Sequence, residues 1–495
     1  MKEDTSELPE HTPSVREIIG RVGTLEYTKR GLIVVFFWLL WGDFCFTIME
    51  SVFPSVTPLT LRNLHAPNFV IGLVMTTIPG LLNFVICPWV SFKSDRHRGR
   101  WGRRIPFLLF PTPWLSFFLV LIAFAPDIGH FLGRTIFAGS GIQASAIVLF
   151  LMGCFVAGFQ YFNMFVGSVY YYLFNDVVPE QFLSTFMAFF RVVGTIAGAA
   201  FQFFVFRYAE THTKWIFVGA AILYAVAFVL MSLKVKEGEY PPPPENVDGR
   251  VSITSSIKTY FVECFAHKFY WYFFIGTAAW ELTACIAPWL LFMQQKSLGL
   301  HLGQIGFING LSAGIGAVIL IPAGMISDRK HPLRTMLVAM VGLVMLTPVR
   351  FIYLLHNFTP AQAYRIEFAL VMVILPLGVL YGASCLPMYM RLLPGERFGQ
   401  YCAAQAMVRS LGVILGGMLA GGFMDLMQAL SRGRHFEFYY YRYAPAWVWV
   451  CQIIALVFMI LVYKHWKLHG GDRNYKAPAV GRVAQSERET ATPAA

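Results

Sequence analysis

The sequence predicts an all-α polytopic membrane protein with twelve transmembrane helices in two related six-helix halves. Three observations predict this architecture. The chain of 495 residues is 57% hydrophobic and only 13% charged, whereas soluble domains carry about 25% charged residues. Apolar stretches of about 20 residues, each long enough to cross a bilayer as a helix, recur along the chain. Short motifs of the first half also return in the same order in the second half.

The apolar runs between charged or Pro/Gly-rich breaks give twelve spans. Their approximate bounds are 31–57, 69–92, 105–125, 143–174, 184–206, 214–233, 268–293, 303–326, 334–356, 364–391, 400–428 and 443–465. A charged, proline-rich segment at 237–250 (EGEYPPPPENVDGR) cannot continue a helix and separates the first six spans from the last six. We therefore expect five parts: an N-terminal tail (1–30), a first bundle (31–233), a linker (234–267), a second bundle (268–465) and a C-terminal tail (466–495).

The distribution of lysine and arginine predicts that both termini are cytoplasmic. Basic residues concentrate in both tails, in the loop after the second span, in the linker and at 327–334. These segments fall on one side of the membrane, which the positive-inside rule makes cytoplasmic. The net charge of +12 is then mainly a topology signal and does not predict a nucleic-acid partner. We expect a monomer in the plasma membrane (a bacterial inner membrane), with the lipid bilayer and a small molecule as its partners.

Three pairs of motifs indicate that the halves are related by duplication. R-x-x-G-x-I-x-G at 191–198 returns at 409–416, Ser-Asp-Arg at 94–96 returns at 327–329, and Trp-Gly-Asp at 41–43 corresponds to Ala-Trp-Glu at 279–281. Parallel six-helix repeats are typical of transporters that bind their substrate near the midplane, between the halves.

The loop at 93–106 (KSDRHRGRWGRRIP) lies between the second and third spans. Its Asp-Arg followed by further basic residues resembles the signature loop of the major facilitator superfamily. The segment 98–107 (RGRWGRRIPF) resembles the glycoside–pentoside–hexuronide:cation symporters and the related sucrose transporters. The first resemblance covers the whole chain, whereas the second depends mainly on this loop. The loop departs from the superfamily pattern at Ser91, where glycine is usual, while Gly324 keeps the glycine in the second half.

We predict that the two related loops form a conformational latch. Its candidate residues are Asp95, Arg96, Arg103, Arg104, Asp328 and Arg329. A carboxylate here can pair with an arginine or cap a helix start, while the arginines lie at the headgroup level. The alternative is a loop that only sets topology, but that alternative does not explain why the aspartate recurs.

Five ionisable side chains within the spans are candidate coupling residues, because a charge at bilayer depth costs several kcal/mol unless it is paired or hydrated. They are Asp43, Glu50, Arg191, Glu281 and Arg409. The repeat predicts two pairs, Asp43 with Arg191 and Glu281 with Arg409. A cation arriving at a carboxylate would free its arginine to hold a substrate. The alternative is that the pairs are permanent and structural.

A sugar site needs amide and aromatic partners for hydroxyl groups and ring faces. Gln160 and Asn163 share a face of the fourth span and are the candidate substrate ligands. Histidines occur only in loops, at span ends or in a tail, which argues against an imidazole proton relay or a buried zinc site. We expect no metal and no cofactor beyond a coupling H⁺ or Na⁺.

These features favour a secondary active transporter that moves a sugar or glycoside together with H⁺ or Na⁺ by alternating access. The alternative is a carrier or exporter of another small solute, such as an organic anion or a drug. The sequence contains no Walker A, HExxH or GxSxG motif, so we expect neither an enzyme nor ATP-driven transport.

Overall fold

The computed structural model describes residues 18–138, 141–239, 264–394, 398–433, 436–475, 477 and 478. Outside the described residues lie 1–17 and most of 466–495 in the predicted tails, and 240–263 in the predicted linker. Within them, twelve helices are long and apolar enough to cross a membrane, which confirms the predicted fold class.

The twelve helices are numbered here in chain order. Their bounds are α1 Lys29–Asn63, α2 Asn68–Arg96, α3 Ile105–Thr135, α4 Ala144–Val177, α5 Glu180–Tyr208, α6 Thr213–Lys234, α7 Lys268–Ser297, α8 Leu302–Lys330, α9 Pro332–Leu355, α10 Pro360–Leu392, α11 Phe398–Ser431 and α12 Tyr439–Leu468. A short helix, α13 (Gly471–Asn474), follows in the predicted C-terminal tail. An antiparallel hairpin of β1 (Ile18–Val22) and β2 (Leu25–Thr28) precedes α1, where the sequence predicted no element.

Local sequence explains where several helices begin. The Thr28 hydroxyl accepts the Gly31 N–H at 3.3 Å and caps α1. Thr359 and Gln362 form a reciprocal capping box at the start of α10. These first turns lie at the ends of the apolar runs, so polar side chains satisfy the N–H groups that no preceding turn can bind.

Several helices extend beyond the predicted spans. The first span was predicted to end at residue 57, but α1 continues to Asn63 through Pro54 and Pro58. Three helices contain a π-helical turn, at Leu73–Thr77 in α2, Phe201–Val205 in α5 and Met293–Ser297 in α7. Proline and local irregularity are tolerated in membrane helices because neighbouring groups satisfy the freed backbone.

We call the side of the membrane on which α1 begins the basic side, and the other side the opposite side. The two halves meet on the opposite side. On the opposite side, α2 packs on α11 and α5 packs on α8. A Cβ added to Gly72 would lie 2.0 Å from the Gly417 carbonyl oxygen, and one added to Gly306 would lie 2.3 Å from the Gln202 carbonyl oxygen. Only glycine allows helices to approach this closely.

Polar groups reinforce this contact between the halves. Asp425 of α11 accepts hydrogen bonds from the backbone N–H groups of Asn68 and Phe69, at the start of α2. The Trp289 indole donates to the Asn68 side chain at 2.8 Å, and Lys296 pairs with Glu210 at 3.2 Å. On the basic side, no hydrogen bond or ion pair joins the halves within the described ranges. The polar contacts that join the halves among the described residues therefore lie on the opposite side.

Candidate functional site

Asp43 of α1 is a buried carboxylate that has no cationic partner in the described part of the chain. Its side chain is 2% exposed, and Oδ1 accepts only a long hydrogen bond of 3.5 Å from the Thr47 hydroxyl. Oδ2 has no hydrogen-bond partner among the described residues. It faces Gly194 of α5, where an added Cβ would lie 3.4 Å away. A buried, unpaired carboxylate is costly in its charged form, so this position favours a carboxyl group that is protonated or holds a cation.

Arg191 does not pair with Asp43 in this conformation, contrary to the pairing that the repeat predicted. Its side chain is exposed, and its guanidinium makes no hydrogen bond or ion pair with a described residue. The residue of α5 that lies next to the Asp43 carboxylate is Gly194, one helical turn from Arg191. Arg191 is thus free to take another partner.

The second predicted pair is present but loose. Arg409 Nη1 lies 3.9 Å from Glu281 Oε1, too far for a hydrogen bond, and the side chains are 45% and 43% exposed. Beside them, the rings of Trp280 and Tyr381 stack with centroids 4.1 Å apart. Helices α7, α10 and α11 therefore bring together a solvated ion pair and an aromatic surface.

Glu50 and Asn163 form a polar contact between α1 and α4. Asn163 Nδ2 donates to Glu50 Oε1 at 2.5 Å, while Asn163 Oδ1 is buried and has no hydrogen-bond partner in the ranges that the structure describes. Gln160, one turn earlier on α4, is 5% exposed, and Asn163 is 7% exposed. Asn163 therefore positions the Glu50 carboxylate and retains one free acceptor.

The loop between α2 and α3 forms the arginine–carboxylate contacts predicted for the first half of the latch. Arg104 is 5% exposed and bonds to Asp95 at 2.5 Å and to Asp176 of α4 at 3.0 Å. Arg103 forms a bidentate contact with Asp176, at 2.5 and 2.8 Å. The guanidinium of Arg96 lies over the ring of Phe92 instead, 4.1 Å from its centroid. Three helices of the first half are thus joined at their basic ends.

The corresponding loop of the second half is built differently. Within the described ranges, Asp328 and Arg329 form no ion pair, and Thr335 bonds to the Ser384 hydroxyl at 2.9 Å. The loop is shorter, because His331, at φ 72°, makes the whole turn from α8 to α9. It has no counterpart of the arginine pair at 103–104, so the predicted symmetry of the latch does not extend to its contacts.

Sequence reasoning missed two carboxylates that complete the first-half network. Asp176 ends α4, and Glu237 follows α6 in the predicted linker. Glu237 accepts the backbone N–H groups of Arg103, Arg104 and Ile105 at 2.9, 2.8 and 2.6 Å. The sequence signal that could have found both carboxylates is an acidic residue at or just after the end of a span, on the same side of the membrane as a basic loop.

A third missed carboxylate lies inside the second half. Glu367 of α10 is fully buried and bonds to Arg350 of α9 at 3.1 Å and to Gln294 of α7 at 3.2 Å. It lies within the predicted tenth span, so its charge was a visible signal. The contact ties three helices of one half together, which fits the structural alternative for a buried ion pair. Among the described residues, no group of three or more His, Cys, Asp or Glu side chains is placed to hold a metal ion.

Solved structures with the same fold are transporters. The nucleoside transporter NupG (D323A mutant) matches with a TM-score of 0.62 and 12% identity, over 87% of this chain and 100% of that chain. A bacterial homologue of the iron transporter ferroportin, in an inward-facing state, matches with a TM-score of 0.62 and 13% identity, over 87% of this chain and 99% of that chain. A D-xylose-proton symporter matches with a TM-score of 0.54 and 14% identity, over 86% of this chain and 97% of that chain.

Sequence relatives are matched over shorter segments. The sucrose transport protein SUT4 of Oryza sativa subsp. indica is 30% identical over 175 residues, which cover 31% of this chain and 28% of that protein. Human solute carrier family 45 member 4 is 27% identical over 211 residues, which cover 41% of this chain and 26% of that protein. The matched segments thus span less than a third of these relatives. A family profile described as Major Facilitator Superfamily matches residues 39–417. The chain, with its twelve helices, therefore belongs to the major facilitator superfamily of membrane transporters.

Proposed function

We propose that the protein is a secondary active transporter that carries a sugar or glycoside together with a cation, by alternating access. The observation that carries this proposal is Asp43, a buried carboxylate with an unpartnered oxygen in a transporter fold. Sugar as the substrate class is supported by the relative named for sucrose, by the fold relative named for D-xylose, and by the stacked rings of Trp280 and Tyr381.

The surroundings of Asp43 favour a proton as the coupling ion. A proton needs one oxygen lone pair, which Oδ2 supplies. A metal cation in a protein is held by several oxygen ligands, and the hydrogen-bond partner of this carboxylate adds only the Thr47 hydroxyl. Sodium remains the second coupling ion to test.

The charges suggest a transport cycle. Protonation neutralises Asp43 and leaves the guanidinium of Arg191 for substrate hydroxyl groups, which it can hold through two N–H groups. The loose pair of Glu281 and Arg409 can then adjust to the other side of the substrate, because both side chains are solvated. Release takes place on the basic side, away from the polar contacts that join the halves. The positive-inside rule places that side in the cytoplasm, so the cycle describes import by a monomer in the plasma membrane.

Thermal unfolding of the purified protein tests the substrate class. The panel contains monosaccharides, disaccharides, glycosides, hexuronates, amino acids and organic anions, with and without sodium and at two pH values. A ligand at about 100 times its dissociation constant stabilises the folded state by about 2.7 kcal/mol, which shifts the melting temperature measurably. We expect a disaccharide or glycoside to stabilise the protein, more strongly at the lower pH.

Matched variants identify the coupling residue. Asp43→Asn should keep the sugar-induced stabilisation but lose its pH dependence. Asp127→Asn, a change at an exposed acid on the opposite side, should preserve both. If no sugar stabilises the wild-type protein under any condition, the proposed substrate class is wrong.

The second candidate function is transport of an organic anion, and the free guanidinium of Arg191 favours it. An anionic ligand would then stabilise the protein when no neutral sugar does. Arg191→Gln should abolish that stabilisation, since a neutral amide cannot supply the missing charge. Arg391→Gln, an exposed change at the basic end of α10, serves as the control.

A further inference from the structure

An apolar groove lies on the outer surface of the first half, between α1, α5 and α6. Its volume is about 510 Å³. The lining residues are Ile48, Val52, Phe201, Phe204, Val205, Tyr208, His212, Trp215, Ile216, Gly219, Ala220 and Leu223. Phe204 and Trp215 are 72% and 74% exposed. Because these helices span the membrane, this surface faces lipid on its apolar length.

The groove has the depth of one leaflet. Along α6 it runs from Trp215 to Leu223, eight residues that correspond to about 12 Å of helix. One leaflet of the hydrocarbon core is about 15 Å thick. Tyr208, His212 and Trp215 lie at its outer end, and tyrosine and tryptophan are enriched at the membrane–water interface. The groove therefore extends from the headgroup level toward the middle of the bilayer.

Charged side chains surround the outer end of the groove, and its two acids, Asp127 and Glu210, are each paired with a lysine. Arg207, His212 and Lys214 lie there, and all three are exposed. Lys214 pairs with Asp127. Arg207 contacts the Tyr208 hydroxyl and lies over its ring, 4.5 Å from the centroid, while His212 Nδ1 bonds to the Thr211 hydroxyl at 2.8 Å. Among the described residues, Arg207 and His212 thus have no carboxylate partner, and they lie at the level expected of a lipid phosphate.

We propose that this groove binds one acyl chain of an anionic phospholipid, with the lipid phosphate held by Arg207 and His212. The π-helical turn Phe201–Val205 shapes the groove, since three of its five residues line it. The same turn contacts the second half. The Gln202 carbonyl oxygen faces Gly306, and the Phe203 ring would lie 2.8 Å from a Cβ at Gly310. A bound chain therefore packs behind the α5–α8 contact and stabilises the closed opposite side.

Photocrosslinking tests the binding site. The protein is reconstituted in vesicles of phosphatidylcholine that contain a trace of phosphatidylglycerol with a photoactivatable acyl chain. Digestion and mass spectrometry then locate the crosslinks. We expect them in the peptides covering 201–223. Phosphatidylcholine carries the same phosphate, but its cationic choline cancels the net negative charge of the headgroup. The same acyl probe on phosphatidylcholine should therefore label these peptides about fivefold less, given what one basic side chain contributes near a membrane surface.

Two exposed glycines provide a matched pair of variants. Gly219 lies in the groove and Gly378 lies on α10, and an added Cβ would meet no atom within 4 Å at either position. Gly219→Leu should fill the groove and abolish the crosslinks at 201–223, whereas Gly378→Leu should leave them unchanged. Arg207→Gln should remove the preference for phosphatidylglycerol. Crosslinks spread evenly over the lipid-facing surface, or retained in Gly219→Leu, would overturn the proposal, as would equal labelling by the two lipids.

A distance measurement tests the effect on the contact between the halves. Spin labels at positions 134 and 356 report the separation of the halves on the opposite side, since both positions are exposed helix ends there. Adding phosphatidylglycerol to phosphatidylcholine vesicles should increase the short-distance population. In Gly219→Leu, where leucine replaces the acyl chain, that population should not depend on the lipid. The same lipid dependence in this variant and in the wild type would contradict the proposed role.

Discussion

Asp425→Asn should weaken the contact that closes the opposite side. Asp425 Oδ1 accepts the Asn68 N–H at 3.2 Å and the Asn68 side-chain amide at 2.9 Å, and Oδ2 accepts the Phe69 N–H at 3.0 Å. The carboxylate of α11 thereby caps the first turn of α2, where the partial positive charge of a helix lies. All of these contacts cross between the halves, so they are lost when the opposite side opens.

The size of the effect of Asp425→Asn follows from the number of hydrogen-bond acceptors that the side chain keeps. Asparagine keeps one oxygen but replaces the other by an amide that opposes the Phe69 N–H. A hydrogen bond to a charged group contributes about 1.5–3 kcal/mol. Because Asp425 is only half-buried, the lower part of this range applies, and we expect a loss of about 2 kcal/mol in favour of the open state. That loss changes the equilibrium constant between the closed and open states of the opposite side roughly 30-fold. A closed population of about 99% would fall to about 77%.

Double electron–electron resonance measures this change, with spin labels at positions 134 and 356 in a background whose eight cysteines are replaced. Asp425→Asn should move a substantial fraction of the distance distribution to longer values. Asp127→Asn is the control, because its ion pair with Lys214 lies within the first half. A distribution in Asp425→Asn identical to that of the wild type would refute the reasoning.

Three further substitutions have expected outcomes. Gly72→Trp should prevent closure of the opposite side, because even a Cβ would lie 2.0 Å from a carbonyl oxygen of α11; uptake should stop while ligand binding persists, and loss of binding would contradict this. Asp95→Asn should remove the 2.5 Å ion pair with Arg104 and lower the transport rate more than the substrate affinity; an effect on affinity alone in equilibrium binding would rule out a latch. Trp280→Ala should weaken binding of a glycoside about fivefold, whereas Trp114→Ala, an exposed change on α3, should not; equal affinities of Trp280→Ala and the wild type in calorimetry would show that Trp280 does not contact the sugar.

The number and type of the spanning elements could be predicted because the bilayer leaves few choices. Every backbone group at membrane depth needs an internal partner, so a long apolar run is a helix. The ends and irregularities could not be predicted in the same way. Helix α1 passes through Pro54 and Pro58 to Asn63, and the π-helical turn at Leu73–Thr77 has no signature in the hydrophobic pattern. Both features depend on packing against neighbouring helices.

The candidate site could be predicted only as a set of residues. The repeat correctly brought Glu281 near Arg409, but it also paired Asp43 with Arg191, whereas the structure turns Asp43 toward a glycine. Each residue rotates a helix by about 100°, so the choice of partner depends on rotations and tilts that the sequence does not encode locally. Glu367 illustrates a second limit, because its charge was visible within a predicted span, whereas its pairing with Arg350 of α9 depends on how the two helices pack.

Uptake into proteoliposomes tests the central proposal most directly. A radiolabelled glycoside that stabilises the protein is supplied outside, and either a proton gradient or a sodium gradient is imposed. The proposal predicts that a proton gradient drives accumulation of the glycoside above its external concentration in the wild type. Asp43→Asn should still exchange labelled for unlabelled glycoside but should not accumulate it. Accumulation by Asp43→Asn equal to that of the wild type would show that this carboxylate does not couple transport, and absence of glycoside uptake under either gradient would contradict sugar symport.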